Sequence, residues 1–422
     1  MEILTLAVFI VGYILIALEH PLKIDKAATA LLTGVLCWTV YIVAEHEKET
    51  AVAELLHHMG DISSILFFLL GAMTIVELID SYHGFSVITE RIKTRSKLKL
   101  LWIISALTFF LSALLDNLTT AIVMTSLCSK LLEQKKDRLW FTGMIVIAAN
   151  AGGAFSPLGD VTTTMLWIGG QITASTIILK LFIPSVAVCL IPLLIVSTRF
   201  HNQIFNFTFV DHGSMNKKES QIILMTGILL LLFVPVFKTI THLPPFMGIL
   251  LSLGILWIIV SIMHIGKPTT EVRKLSVAHA LQKIDSPSIL FFLGILLAVS
   301  ALQSFGILRH VAIALDDSLG NIYLIGSALG LISAIVDNVP LVAAAQGMYE
   351  LDTFPTDHNF WTFIALTTGT GGSAIIIGSA AGVAAMGIEK IDFIWYLKKI
   401  TWLAIVGFLA GISVYLGQLF FF

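Results

Sequence analysis

A chain of 422 residues that is 57% hydrophobic and only 12% charged, with a mean hydropathy of +0.94, lies outside the range of soluble globular domains and reads as a membrane protein. The net charge of −2 carries no information on partners. Cys37, Cys128 and Cys189 all sit in apolar segments at no metal-like spacing and read as small interior packers, leaving no disulfide framework or metal cluster to build on.

Apolar runs recur at Ile3–Leu18, Ala27–Ala44, Ile62–Ile79, Leu98–Leu115, Ser175–Ser197, Ile222–Phe237, Phe246–Met263, Ser288–Leu302, Ile322–Val336 and Thr401–Phe421. Each is about long enough to cross a ~30 Å hydrocarbon core. One or two could be buried helices of a soluble protein; so many cannot, and the fold expected is an all-α polytopic membrane protein. The first run lacks a basic flank and a small-residue cleavage site, so it is expected to be a retained span and not a signal peptide.

The chain says the same thing twice. Asp61–Leu69 reads DISSILFFL and Asp285–Leu293 reads DSPSILFFL. SALLDNLTTAIVM, around Asp116-Asn117, is matched by SAIVDNVPLVAAA around Asp337-Asn338, and ANAGGAFSPLGDVTTTM (Ala149–Met165) by TGTGGSAIIIGSAAGVA (Thr368–Ala384). Repeated spans that contain a carboxylate and a broken helix are the pattern of a secondary transporter, with the ion site where the repeats meet.

The repeat sets the domain boundaries. Residues 1–199 form the first inverted repeat, with a helical hairpin over 98–132 and a Gly-broken helix over 140–170. A polar cytoplasmic linker covers 200–220, and 221–422 form the second repeat, with its hairpin over 321–351 and its broken helix over 359–388. If each hairpin is re-entrant, a unit makes five crossings, and an odd number inserts the second unit upside down relative to the first. With both termini outside, the inner loops collect all of the 25 Lys and Arg except Lys48, Lys180, Lys238 and Arg309, as cytoplasmic loops should. The first hairpin is flanked by Lys97, Lys99, Lys130, Lys135 and Lys136, the second by Asp316, Asp317, Asp352 and Asp357, as expected of hairpins dipping in from opposite faces.

A charge in mid-membrane is costly, so it is rare and usually functional. Asp116 and Asp337 fall at the hairpin bends; Asn117 and Asn338 tolerate bent backbone, and Thr119 and Thr120 follow as hydroxyl donors or ligands. The plainer reading is that Asp-Asn only caps the returning helix. A cap needs one polar oxygen, which Ser or Asn supplies without charge, so a carboxylate kept twice suggests that its charge is used.

Between Asn150 and Asp160 the glycines and Pro157 interrupt the helix. Carbonyls freed at this depth are tolerated only inside protein or against a wet cavity, where they coordinate Na⁺. Close helix packing through small residues is the alternative, and Asp160 makes it insufficient. Asn150 aligns with Gly369 and Asp160 with Ser379, so the first unit carries two carboxylates and the second one. The tighter site, Na⁺ at Asp116, Asn117 and Asp160, is expected in the first unit, with a vestigial or supporting site in the second. Glu77 and Asp80, followed by His83, either line an inner vestibule or sit at the interface. His46, His57 and His58, among Glu45, Glu47, Glu49 and Glu54, read as a solvated outer loop in preference to a pH sensor.

No Lys or Arg lies in the proposed midplane segments, so an anion would face Asp116, Asp160 and Asp337 without a cationic partner. A small monovalent cation suits oxygen-only ligands. Carboxylates also bind H⁺, and a site that holds either ion exchanges them by competition.

Through LLDNLTTAIVM, ANAGGAFSPLGDVTTTMLWIGGQ, VDNVPLVAAAQGMY and TTGTGGSAIIIGSAAGVA, the sequence resembles the NhaD-type Na⁺/H⁺ antiporters. These belong to the ion transporter superfamily, which includes arsenite pumps and divalent-anion/Na⁺ symporters. The resemblance covers nearly the whole chain. It implies Na⁺ and Li⁺ export in exchange for protons, elevator-like alternation, a homodimer and a multi-pass place in a bacterial inner membrane, serving pH homeostasis and salt tolerance. Residue by residue it supports Asp116, Asn117, Thr119, Asn150, Asp160, Thr162, Asp337 and Asn338 as the ion-binding and proton-exchange set. No cofactor beyond the transported ions is expected, and neither nucleic acid nor a soluble protein as partner.

The symporters of the superfamily are similar in architecture but carry Ser-Asn-Thr-like bends, whereas Asp-Asn stands in both hairpins here. The runner-up is a Na⁺-coupled carrier of a dicarboxylate or oxyanion. An enzyme is not expected: an intramembrane aspartyl protease would carry Gly two residues before its Gly-Asp pair, which Pro157-Leu158-Gly159-Asp160 lacks.

Overall fold

The computed structural model describes residues 1–45, 47–89, 92, 94–201, 203–204 and 217–420. The readings at His46, Arg91, Lys93 and most of the linker lie outside the described residues. Within them the chain is all-α, its β contact being the isolated bridge Ser96–Ile204.

The first unit runs α1 (Glu2–Ala17), α2 (Glu19–Leu22), α3 (Lys26–Ala44), α4 (Lys48–Ser81), α5 (Gly84–Thr89), α6 (Lys97–Leu115), α7 (Asn117–Leu131), α8 (Lys135–Ala154), α9 (Val161–Ile168) and α10 (Ala174–Ser197). The second opens with α11 (Lys217–Thr241), α12 (Pro245–Met263), α13 (Thr269–Leu275), α14 (Val277–Lys283), α15 (Ser286–Ser304) and α16 (Ile307–Leu319). It closes with α17 (Ile322–Ile332), α18 (Asn338–Met348), α19 (Asn359–Gly371), α20 (Ala380–Glu389), α21 (Phe393–Lys399) and α22 (Thr401–Gln418). Among the described residues eight helices (α3, α4, α6, α10, α11, α12, α15 and α22) are long and apolar enough to cross a membrane, and α1, α17 and α20 are shorter apolar helices. The chain is a multi-pass membrane protein.

Two sequence expectations change. Glu49, Glu54, His57 and His58 are not in a loop but on α4, a helix of 34 residues that at ~1.5 Å per residue is about 51 Å long, well beyond a ~30 Å core. Tyr41 donates to Glu54 at 2.7 Å, and His58 Nε2 lies 3.3 Å from Ser304 Oγ, so this extension is packed. The repeated DISSILFF motif also folds differently in its two copies. Asp61 lies within α4, whereas Asp285 caps α15 by accepting from Ser288 N at 3.2 Å. Pro287, in the first turn of α15 and without an N–H, favours a helix start there.

α3 packs against α15 and α4 against α12, so the long helices of one unit lie on those of the other. At the first crossing a Cβ on Gly34 would sit 2.5 Å from the Gly294 carbonyl oxygen, a backbone approach that only glycine allows. Beside this frame, α7 packs on α8 and α20, α18 on α9 and α19, and α8 on α19. The helix that follows each Asp-Asn pair, α7 or α18, therefore meets a short helix from the other half of the chain, α20 or α9.

The repeat extends to single contacts. A Cβ on Gly152 would come 2.1 Å from the Phe109 carbonyl oxygen, and one on Gly371 1.9 Å from that of Gly330. Ser112 Oγ donates to Ala149 O at 2.6 Å and Ser333 Oγ to Thr368 O at 3.1 Å.

Candidate ion site

Four helices begin in the interior, and each is opened by a side chain that accepts from its first turn. Asp116 opens α7, taking Thr119 N at 2.7 Å and Thr119 Oγ1 at 2.9 Å. Asp160 opens α9, taking Thr162 N at 3.0 Å and Thr162 Oγ1 at 2.9 Å. Asp337 opens α18, taking Val339 N at 3.1 Å. Ser379 opens α20, taking Gly382 N at 3.2 Å. Capping is thus real, and Ser379 shows that it works without charge at the place equivalent to Asp160. The three carboxylates exceed what capping demands. Asp116 also holds φ at 88°, a strained conformation for a residue with a side chain.

Around these caps runs one amide network. Asn117 Nδ2 donates to Asp160 Oδ2 at 2.8 Å and to Asn150 Oδ1 at 3.1 Å. Asn338 Nδ2 reaches both oxygens of Asp160, at 3.4 and 3.3 Å. Asn150 Nδ2 donates to Ser373 Oγ and Ser379 Oγ, each at 2.9 Å. Asn150 is 0% exposed and Asp160 2%. The second half of the chain thus supplies Asn338, Ser373 and Ser379 to the cluster around Asp160, which takes one amide from the start of α7 and one from the start of α18.

A narrow cavity of about 50 Å³ runs past this cluster, lined by Asp116, Asn117, Asp160, Asp337, Asn338 and Ser288 with Phe68, Leu115 and Phe292. That is room for a few water-sized bodies. Of the residues expected from sequence, Asn117, Asn150, Asp160, Thr162 and Asn338 are joined by hydrogen bonds. Asp116, which holds Thr119 by two hydrogen bonds, and Asp337 line the same cavity. Thr120 Oγ1 is buried without a hydrogen-bond partner. Glu77 and Asp80 are elsewhere. Glu77 pairs with Lys283 at 3.3 Å, and exposed Asp80 lines a separate cavity of about 620 Å³ with His83, Lys130, Lys274 and His279.

Two features escape a linear reading. Ser373 and Ser379 act as acceptors for Asn150; the alignment of Ser379 with Asp160 was the available signal. Lys26, from an expected inner loop, lines the same narrow cavity and has no local signal at all.

Interior helix starts capped by carboxylates, inside a multi-pass helical membrane protein, are a setting that suits a transporter, and the family that matches the chain is one of transporters. The chain belongs to the citrate transporter family, CitMHS, which matches residues 13–369, within the ion transporter superfamily. It is 48% identical to Sodium/proton antiporter 1 of Arabidopsis thaliana over 97% of this chain and 71% of that protein. Sodium/proton antiporter 2 of the same plant is 46% identical over 97% of this chain and 98% of its own length. The Na(+)/H(+) antiporter NhaD of Alkalimonas amylolytica is 30% identical over 97% and 89%, respectively.

Proposed function

We propose that the protein is a secondary active antiporter that exchanges cytoplasmic Na⁺, and Li⁺, for external H⁺ by competition at Asp116 and Asp160. The observation that carries this reading is the setting of Asp160. It is buried, receives neutral amides from both hairpins, and has no Lys or Arg within ion-pair distance among the described residues. A desolvated carboxylate so placed is stabilised by a proton or a small cation, one at a time. The relatives named as sodium/proton antiporters support the same ion pair.

The reading includes two inverted five-span repeats with re-entrant hairpins. α17 and α18 have 11 residues each; at ~1.5 Å per residue each covers about 16 Å, half of a ~30 Å core. Side-chain pairs support the sidedness. Lys97–Asp137 (2.6 Å), Lys267–Glu219 (2.5 Å) and Arg138–Glu389 (3.0 Å) join positions assigned to the inner side. Lys180 donates to Asn359 at 2.9 Å and Lys238 to Trp167 O at 2.7 Å, joining positions assigned to the outer side. In the elevator step the hairpins and broken helices slide as one body against the α3/α15 and α4/α12 frame. Single cysteines at Lys136 and Lys274 should label from the cytoplasm and those at Lys48 and Asp357 from outside. Opposite labelling of Lys136 and Lys274 would end the inverted arrangement.

The test of exchange is fluorescence dequenching of a ΔpH probe in inside-out vesicles on adding Na⁺, Li⁺, K⁺ or a carboxylate. At low pH protons occupy the carboxylates and Na⁺ must displace them, so the KM for Na⁺ should fall as pH rises, with little change in maximal rate. A KM that ignores pH rules out direct competition. The family's description favours a second reading, a Na⁺-coupled carrier of citrate or another carboxylate. A cavity of about 50 Å³ faced by three carboxylates opposes it, and a proton signal driven by citrate would restore it.

A further inference from the structure

Next to the narrow cavity lies a wider one of about 320 Å³, bordered by Tyr13, Glu19 and Phe291. Among the described residues two line both: Lys26 and Asp337. One cation and one carboxylate, one from each unit, thus stand at the neck of a path to Asp116 and Asp160. Lys26 opens α3, fixed there by the Asp25 cap, which accepts from Ala27 N at 2.8 Å. Its ammonium rests 4.7 Å from the centroid of the buried Phe291 ring and, among the described residues, has no carboxylate within ion-pair distance. A cation over an aromatic face is held weakly compared with an ion pair and is free to swing on its four-carbon stem. In the other unit the equivalent helix, α12, opens with Pro245-Phe246, so the repeat does not require a lysine here. Lys26 belongs to the α3/α15 frame, whereas Asp337 opens the returning arm of a hairpin.

We infer that Lys26 is a specificity-determining residue of the access path: a tethered cation that serves as counter-charge to Asp337 when the site is empty and that an incoming monovalent cation must displace. This rests on the exchange reading. Its charge at the neck opposes Na⁺ binding at Asp116 and Asp160, which line the narrow cavity with it. The titratable groups that line the two cavities with it are Glu19, Tyr13, Asp337, Asp116 and Asp160.

The experiment compares Lys26→Met, which keeps the stem and removes the charge, with Lys26→Arg, which keeps the charge, in inside-out vesicles. Lys26→Met should lower the KM for Na⁺ at least about tenfold, the change a unit charge exerts across about 12 Å at an effective dielectric of ~20. Lys26→Arg should stay within about twofold of the parent on the same grounds. Purified protein supplies a readout independent of turnover: the Na⁺ concentration giving half-maximal thermal stabilisation should fall by the same factor in Lys26→Met. If Lys26→Met does not transport, this second measurement decides. A parent protein that exchanges Na⁺ for H⁺ while Lys26→Met binds Na⁺ no more tightly overturns this inference alone. A parent that moves no protons on Na⁺ addition overturns the exchange reading, and this inference with it.

Discussion

Asp160→Asn should abolish Na⁺-dependent proton movement, down to the signal of vesicles lacking the protein, while membrane insertion and yield are kept. Asn still caps α9, since its carbonyl oxygen accepts from Thr162 as the carboxylate does. What it cannot do is carry charge or accept on every side. Asn117 and Asn338 both aim N–H groups at this side chain, and an amide turned to satisfy one leaves its own donor facing another. That mismatch costs about 1–3 kcal/mol, enough to lower thermal stability without preventing folding. Asp160→Ser makes a cleaner companion, because Ser379 already fills the equivalent place in the other unit. Both variants should insert and both should be inactive; normal exchange by either one removes Asp160 from the site. Asp116→Asn should behave likewise, and Asp337→Asn should lose less.

Gly152→Ala should be among the most damaging of the small substitutions. The added methyl would lie 2.1 Å from the Phe109 carbonyl oxygen, with the Phe109 carbonyl carbon and Cα at 2.8 and 2.9 Å. All three are backbone atoms that no rotamer change can move aside. The α6–α8 pair must separate, at a cost of about 1–3 kcal/mol or more, and the α7 start that α6 leads into moves with it. Gly60→Ala is the control: nothing lies within 4 Å of its Cβ position, and alanine is the better helix former by about 1 kcal/mol. Apparent melting temperatures in detergent should therefore separate in opposite directions, Gly152→Ala below the parent and Gly60→Ala at or above it. Equal melting of Gly152→Ala and the parent would contradict the close approach.

The breaks were legible because they are local. Gly, Pro and Asp-Asn interrupt apolar runs at Asp116, Asp160 and Asp337, and interior helices begin at those three residues. The start of α4 was not, because Glu49, Glu54, His57 and His58 are polar for reasons of solvent contact and neighbours such as Tyr41 and Ser304, which composition cannot separate from a loop. Short helices such as α16 and α21 were also missed, since they are too short for a span and carry charges that resemble connections. The site was half visible. Its residues could be picked out singly by charge and depth, but Asn150 meeting Ser379, or Lys26 sharing a cavity with Asp337, depends on tertiary pairing between distant segments that no local pattern encodes.

The crossing of amides between the halves has a consequence for descent. Asn338 donates to Asp160 and Asn150 to Ser373 and Ser379, so neither half contains a finished cluster. A half-length ancestor would have needed two identical copies facing each other, and every change in one would have appeared in both. Fusion into one gene lifts that constraint. The aspartate at 160 and the serine at 379 are a difference that identical partners cannot have, and it leaves one carboxylate, not two, at the point where Asn117 and Asn338 converge.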